Sequence, residues 1–279
     1  MDLYVLLSLI IIIAIIVSII AYMLTINYAQ YTKKDVISSL EYAINVIDNS
    51  YYFERMNILD LKARNADSKQ DYIEKYKSAI VAFSNEEKQK LRNLTNEADK
   101  VLEDFRVIYS IPWVFVKLNG SVENGYPHTL GDIIFLSDIP SVEVLIHEKI
   151  HVYQRMYPIE TSKLIHDVWG FDIKDKQERL NNNRNNPDIN SFIYGKSDYS
   201  IVQLYDTNDP TNISESSTYK MPEHIKINAT DIEMPSCIKQ VEHPYEMMAT
   251  LIAQILTQKQ CKDQSYVLFN TLSWMQKYF

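Results

Sequence analysis

Two histidines four residues apart, His147 and His151, stand in a stretch that is otherwise apolar on most of its turns. Val142-Glu143-Val144-Leu145-Ile146 precedes them and Val152-Tyr153 follows. On a helix, positions four apart differ by about 40° around the axis, so both imidazoles project side by side from one face. Neighbouring buried imidazoles need partners for their ring nitrogens, and one shared metal ion meets that need. Glu148 sits one position round from the pair. Its carboxylate would lie beside the coordination position left for water, where it can take a proton as the water attacks a carbonyl. Pro140 and Ser141 are suited to open this helix, and Lys149, roughly opposite the pair, is expected to face solvent.

A zinc site that does chemistry takes three protein ligands and keeps one position open, so the two histidines leave one ligand to find. The best source is the segment His243-Pro244-Tyr245-Glu246-Met247-Met248-Ala249-Thr250. Pro244 fits a first helical position, which puts Glu246 in the first turn, where the helix dipole favours an ionised carboxylate. Small Ala249 and Thr250 would let this helix approach the first one closely. A first-turn Glu can also do no more than complement the dipole, and His166 or Asp188 are rival ligands. His243, three residues before Glu246, is expected to assist catalysis as a hydrogen-bonding partner beside it. His128, His166, Arg184, Tyr194 and His243 are the candidates for stabilising an oxyanion.

Through His147-Glu148-Lys149-Ile150-His151 and the preceding Thr129-Leu130-Gly131-Asp132-Ile133-Ile134-Phe135-Leu136, the chain resembles the zincin superfamily of metallopeptidases. The metzincin branch does not fit: Gln154 stands where it has Gly, and Tyr157 where it has a third His. What remains resembles the branch with a downstream Glu ligand, the gluzincins, and is similar to uncharacterised zincin-like proteins encoded by large DNA viruses. The resemblance implies peptide-bond hydrolysis with zinc as cofactor, His147, His151 and Glu246 as its ligands and Glu148 as the catalytic base. It also implies an edge strand ahead of the metal helix that pairs with extended substrate, for which Ile133 to Leu136 is the candidate. The alternative is a zincin-fold structural or assembly protein without turnover.

Elsewhere, Leu3 to Ile26 is apolar apart from Ser8, Ser18 and Thr25, long enough to cross a bilayer. Lys33 and Lys34 after it and Asp2 before it place the large domain in the cytosol by charge bias, although sequons at Asn93, Asn119, Asn212 and Asn228 fit the other side. The expected protein is therefore single-pass: an anchor over residues 1–29 in contact with lipid through 3–26, a helical membrane-proximal region over 30–106, and an α+β zincin-like domain over 107–279.

Apolar spacings at Val36, Leu40, Ala43, Ile47 and at Ile73, Tyr76, Ile80, Phe83 indicate helices, and Ser84 with Glu87 has the form of a capping box opening a third. Two or three strands are expected between Arg106 and Ser137. The Asn-, Asp-, Pro- and Ser-rich stretch from Lys174 to Pro235 reads as a long functional loop or lid, with room for short strands. A net charge of −8 without a basic stripe argues against nucleic-acid partners, leaving a protein or peptide substrate. The two cysteines, Cys237 and Cys261, are too few for a disulfide scaffold: one bridge or two free thiols are the options.

Overall fold

A computed structural model describes residues 37–279 apart from 178–179, 233, 236–237, 239 and 258–265. The cysteines lie outside the described residues. So does 3–26, where the membrane span was placed. Among the described residues no helix is long and apolar enough to cross a membrane. Lys69–Ser78, for instance, buries only Tyr72 and Tyr76 and carries charge on its outer face. The single-pass membrane protein expected from the sequence is corrected accordingly, and the architecture is described as α+β.

Helices α1 (Leu40–Asp48), α2 (Tyr51–Glu54), α3 (Ile58–Ala63) and α4 (Lys69–Ser78) are followed by strand β1 (Ile80–Val81), α5 (Asn85–Leu102) and α6 (Arg106–Ser110). The spacing that predicts one helix through Ile80 breaks at Ala79. The β-branched Ile80-Val81 pair instead joins the sheet edge, Ile80 facing Leu118. The capping box is present: Glu87 N donates to Ser84 Oγ at 3.2 Å, and Ser84 N to Glu87 Oε2 at 2.8 Å. Then come β2 (Phe115–Leu118), β3 (His128–Leu130), β4 (Ile133–Leu136) and the long helix α7 (Val142–Met156), capped by Ser141.

These strands form a sheet of order β1-β2-β4-β3, with β2 and β4 parallel and the outer pairs antiparallel. Ile133–Leu136 is therefore an interior strand, and the edge strand ahead of α7 is β3. The two-residue turn Gly131-Asp132 sets that hairpin, with Gly131 at φ +59° where a side chain would be strained and would press on Val46. Because β4 is buried on both faces, it reads as an unbroken apolar run. Phe115, Ile134 and Leu136 pack with α5 and α7 on one side. Val116, Ile133 and Phe135 pack with Ala43, Ile47, Phe53, Tyr72 and Tyr76 on the other. Residues 40–78, expected as part of a separate membrane-proximal region, thus form the second cover of the same sheet. Truncating a residue at the centre of this sandwich such as Phe135 would cost about 3–5 kcal/mol.

After α7 the chain continues through α8 (Pro158–Lys163) and a single π turn (Leu164–Val168). The stretch expected as a lid instead builds a five-stranded antiparallel sheet in sequential order: β5 (Asp172–Lys176), β6 (Phe192–Lys196), β7 (Tyr199–Tyr205), β8 (Ser216–Met221) and β9 (Ile225–Lys226). Its polar residues fill turns and the solvated face, which hides the alternation. Helices α9 (Pro244–Leu256) and α10 (Tyr266–Tyr278) complete the described chain, with α9 packed on α7.

Candidate metal centre

Three ligand atoms meet where α7 and α9 cross: His147 Nε2, His151 Nε2 and a Glu246 carboxylate oxygen. Pro244 takes a first-turn position, and Glu246 stands in the first turn of α9, as its local signals require. The Nε2 atoms are 3.0 Å apart, and Glu246 Oε2 lies 3.3 Å from His147 and 3.5 Å from His151. A tetrahedral zinc with bonds of about 2.0–2.1 Å holds its donors about 3.3 Å apart, so this triangle fits such an ion without rearrangement.

The second ring nitrogen of His151 decides its tautomer. Gln154 Nε2 donates to the Tyr245 carbonyl at 2.9 Å, which turns Gln154 Oε1 toward His151 Nδ1, also at 2.9 Å. Nδ1 must then carry the proton, and Nε2 presents a lone pair into the triangle. Gln154 was notable in the sequence only for not being Gly. Its function here depends on the partner helix, which no local pattern reveals.

The electrostatics favour positive charge at the same point. Burial pushes the His151 imidazole down, but Glu246 and Asp188 more than offset this and raise it to about 9. Burial alone would raise the Glu246 carboxyl, yet the two histidines hold it well below the usual range. Glu148 behaves oppositely: burial, then the charge of Asp188, pushes its carboxyl well up, with His151 opposing. Glu148 is 3% exposed and its Oε2 has no hydrogen-bond partner. Glu148 lines a cleft of about 340 Å³ together with His147, Glu246, Asp188, Arg184 and Thr250. Of these lining residues, Thr250 and Arg184 also have buried polar atoms without partners, Oγ1 and Nε.

Other expected site residues fall elsewhere. His243 caps α9: its Nδ1 accepts from Tyr245 N at 3.1 Å, and its Nε2 donates to the Phe192 carbonyl at 3.2 Å. Burial pushes it down to about 3, so it is a neutral cap with both nitrogens engaged away from the cleft, and the catalytic part expected of it is corrected. His166 is on the surface, paired with Asp167 and Asp172 at 3.0 and 2.9 Å. Tyr194 accepts from Asn190 Nδ2 and does not line the cleft. His128 does line it, but its nitrogens are taken by the Tyr126 carbonyl and the Tyr76 hydroxyl. Of the oxyanion candidates, Arg184 alone combines a place on the cleft with an unused donor.

Lys149 is 1% exposed, not solvent-facing, because α5 covers the back of α7. Its ammonium lies 4.0 Å from the Trp113 ring centroid and 3.7 Å from Asp99 Oδ1. Desolvation lowers its pKa to about 8, with Asp99 opposing.

A further wall of the site is the segment 183–190, held in place by side chains. Arg55 donates to the carbonyls of Asn186, Ile189 and Asn190, Arg64 to that of Asn185, Asn57 to that of Asn183, and Arg155 to that of Pro187. Together with Arg155 of α7 it also closes the edge of β3. Thr129 N donates to Asp188 Oδ1 at 2.7 Å, and the Thr129 carbonyl accepts from Arg155 Nη2 at 3.1 Å.

The chain matches no family model, no curated protein and no solved structure.

Proposed function

We propose that this chain is a zinc-dependent peptidase of zincin type, with His147, His151 and Glu246 as ligands and Glu148 as the general base. The observation that carries the reading is the buried, unpartnered Oε2 of Glu148 in the same cleft as the three converging donors. A buried carboxylate oxygen without a donor is costly unless the site supplies one when it works. Zinc held there would contribute Lewis acidity, acidifying water and polarising a carbonyl.

Glu148 would take the proton from the attacking water and pass it to the leaving amine nitrogen. Its raised affinity for protons suits a group that must first accept and then donate. Arg184 offers its unused Nε–H to the charge developing on the attacked carbonyl oxygen. Gln154 keeps His151 in the ligating tautomer.

A second reading, a zinc-holding structural or assembly protein without turnover, is favoured by one observation. The outward backbone groups of Thr129 on the edge strand are already occupied by Asp188 and Arg155, so an extended peptide cannot add to β3 at that point. Hydrolysis of a peptide library separates the two. The peptidase reading expects cleavage by the wild type, and its abolition in Glu148→Gln with zinc content unchanged. Loss of zinc in Glu148→Gln would overturn the role of the base, and a zinc-loaded wild type inert toward the whole library would favour the assembly reading.

A further inference from the structure

The Asn186 side chain makes three hydrogen bonds from a buried position, and together they fix which way its amide points. Its Oδ1 accepts from Asp188 N at 2.8 Å, so Nδ2 must face the other way. There Nδ2 donates to Glu246 Oε1 at 2.7 Å and to Glu242 Oε1 at 2.5 Å. Glu242 is in turn neutralised by Arg184 Nη1, at 2.6 Å from its other oxygen. One amide therefore bridges two buried carboxylates that would otherwise repel, and it occupies the Glu246 oxygen that faces away from the histidines.

On the reading that this is a metal site, we propose that Asn186 is the positioning residue for Glu246: by holding Oε1 it leaves Oε2 alone to the ion and fixes the carboxylate in its triangle with His147 and His151. The support extends outward. The segment bearing Asn186 is clamped by Arg55 and Arg64, so the helical cover over residues 51–64 reaches Glu246 through the Asn186 side chain. Polar partners behind a metal ligand are typically worth about 10–100-fold in metal affinity.

The test is zinc affinity of the full-length chain, measured by competition with a chromophoric chelator, for wild type, Asn186→Asp, Asn186→Ala, Glu246→Ala and the double variants with Glu246→Ala. Asn186→Asp keeps the acceptor for Asp188 N–H, and so the turn, but sets an acceptor against two carboxylates. Both Asn186 variants are expected to weaken zinc binding by about 10–100-fold while keeping the wild-type circular dichroism spectrum. Neither should weaken it further once Glu246 is Ala, since the effect runs through that carboxylate. Wild-type affinity in both variants overturns the proposal, and so does an equal loss with and without Glu246, which would mean that the loop acts by another route. A wild type that binds no zinc overturns the metal reading itself and this proposal with it, an outcome distinct from the other two.

Discussion

Among the described residues, the buried charged cluster around Arg64 and the one around His147 and His151 are finished to different degrees. Around Arg64, every nitrogen has a partner. Nε and Nη2 take the two oxygens of Glu123, Nη1 takes Asp60 and Tyr205, and Nη2 also reaches Tyr52 and the Asn185 carbonyl. Glu123 accepts further from the hydroxyls of Tyr52 and Tyr72, and Asp60 from Asn57 and Asn185. Around His147, His151, Glu148 and Glu246, in contrast, the chain leaves Glu148 Oε2, Thr250 Oγ1 and Arg184 Nε without partners and aims three ligand atoms at one point. Only Asn185 Oδ1, at the rim of the Arg64 network, lacks a partner; every charged group at its centre is paired, and such a network holds structure. One left open by the same chain is arranged for something else to complete it.

The largest way to break this comparison is to open the closed cluster. Arg64→Leu strands Glu123 and Asp60 as buried, uncompensated acids and is expected to destabilise the protein by about 3–5 kcal/mol in chemical denaturation. Loss below about 1 kcal/mol would mean the network is not what holds 183–190 to the helices.

Acid probes the same cluster. Burial pushes the Glu123 carboxyl up, but the Arg64 guanidinium, with hydrogen bonds from Arg64 and Tyr52, overrides it and brings the carboxyl to about 2, below its ordinary 4.5. A carboxyl lowered on folding stabilises fully above its unfolded value and loses that contribution as pH falls through its folded one. The wild type should therefore lose on the order of 3 kcal/mol between pH 4.5 and 2 from this group. Unfolding curves of Glu123→Gln over that window should lack this part of the slope, and identical slopes would remove Glu123 from the account.

The open cluster should respond in the opposite sense. His147→Ala is expected to change the metal-free stability by less than about 1 kcal/mol, yet to abolish stabilisation by zinc. For the wild type that stabilisation is about 2.7 kcal/mol at free zinc 100-fold above the dissociation constant. A zinc-dependent rise in melting temperature that survives in His147→Ala would break the assignment of this ligand.

The same contrast explains what could be read from the sequence. The two helices of the candidate metal centre are legible because their signals are local: Ser141 as a cap, Pro244 in the first turn, the four-residue spacing of the histidines. Lys149 departs from its expected exposure because helical spacing gives direction around one axis but cannot tell that α5 covers the far side. His243 was misread for a related reason: a histidine beside a ligand in sequence turned out to cap the helix that presents it. The edge strand was placed one strand too late, since Ile133–Leu136 has the stronger apolar run because it is interior. Asn186 and Gln154 carried no signal, as their partners lie far along the chain. The 172–226 sheet was obscured by Ser, Thr and Tyr on its solvated face and by Asn and Asp in its turns.

The most direct test of the central claim is the metal content of the purified full-length chain after dialysis against metal-free buffer, measured by plasma mass spectrometry beside Glu148→Gln and His151→Ala. The account predicts one zinc per chain in the wild type and in Glu148→Gln, and none in His151→Ala. No zinc in the wild type, or a full complement in His151→Ala, would contradict it.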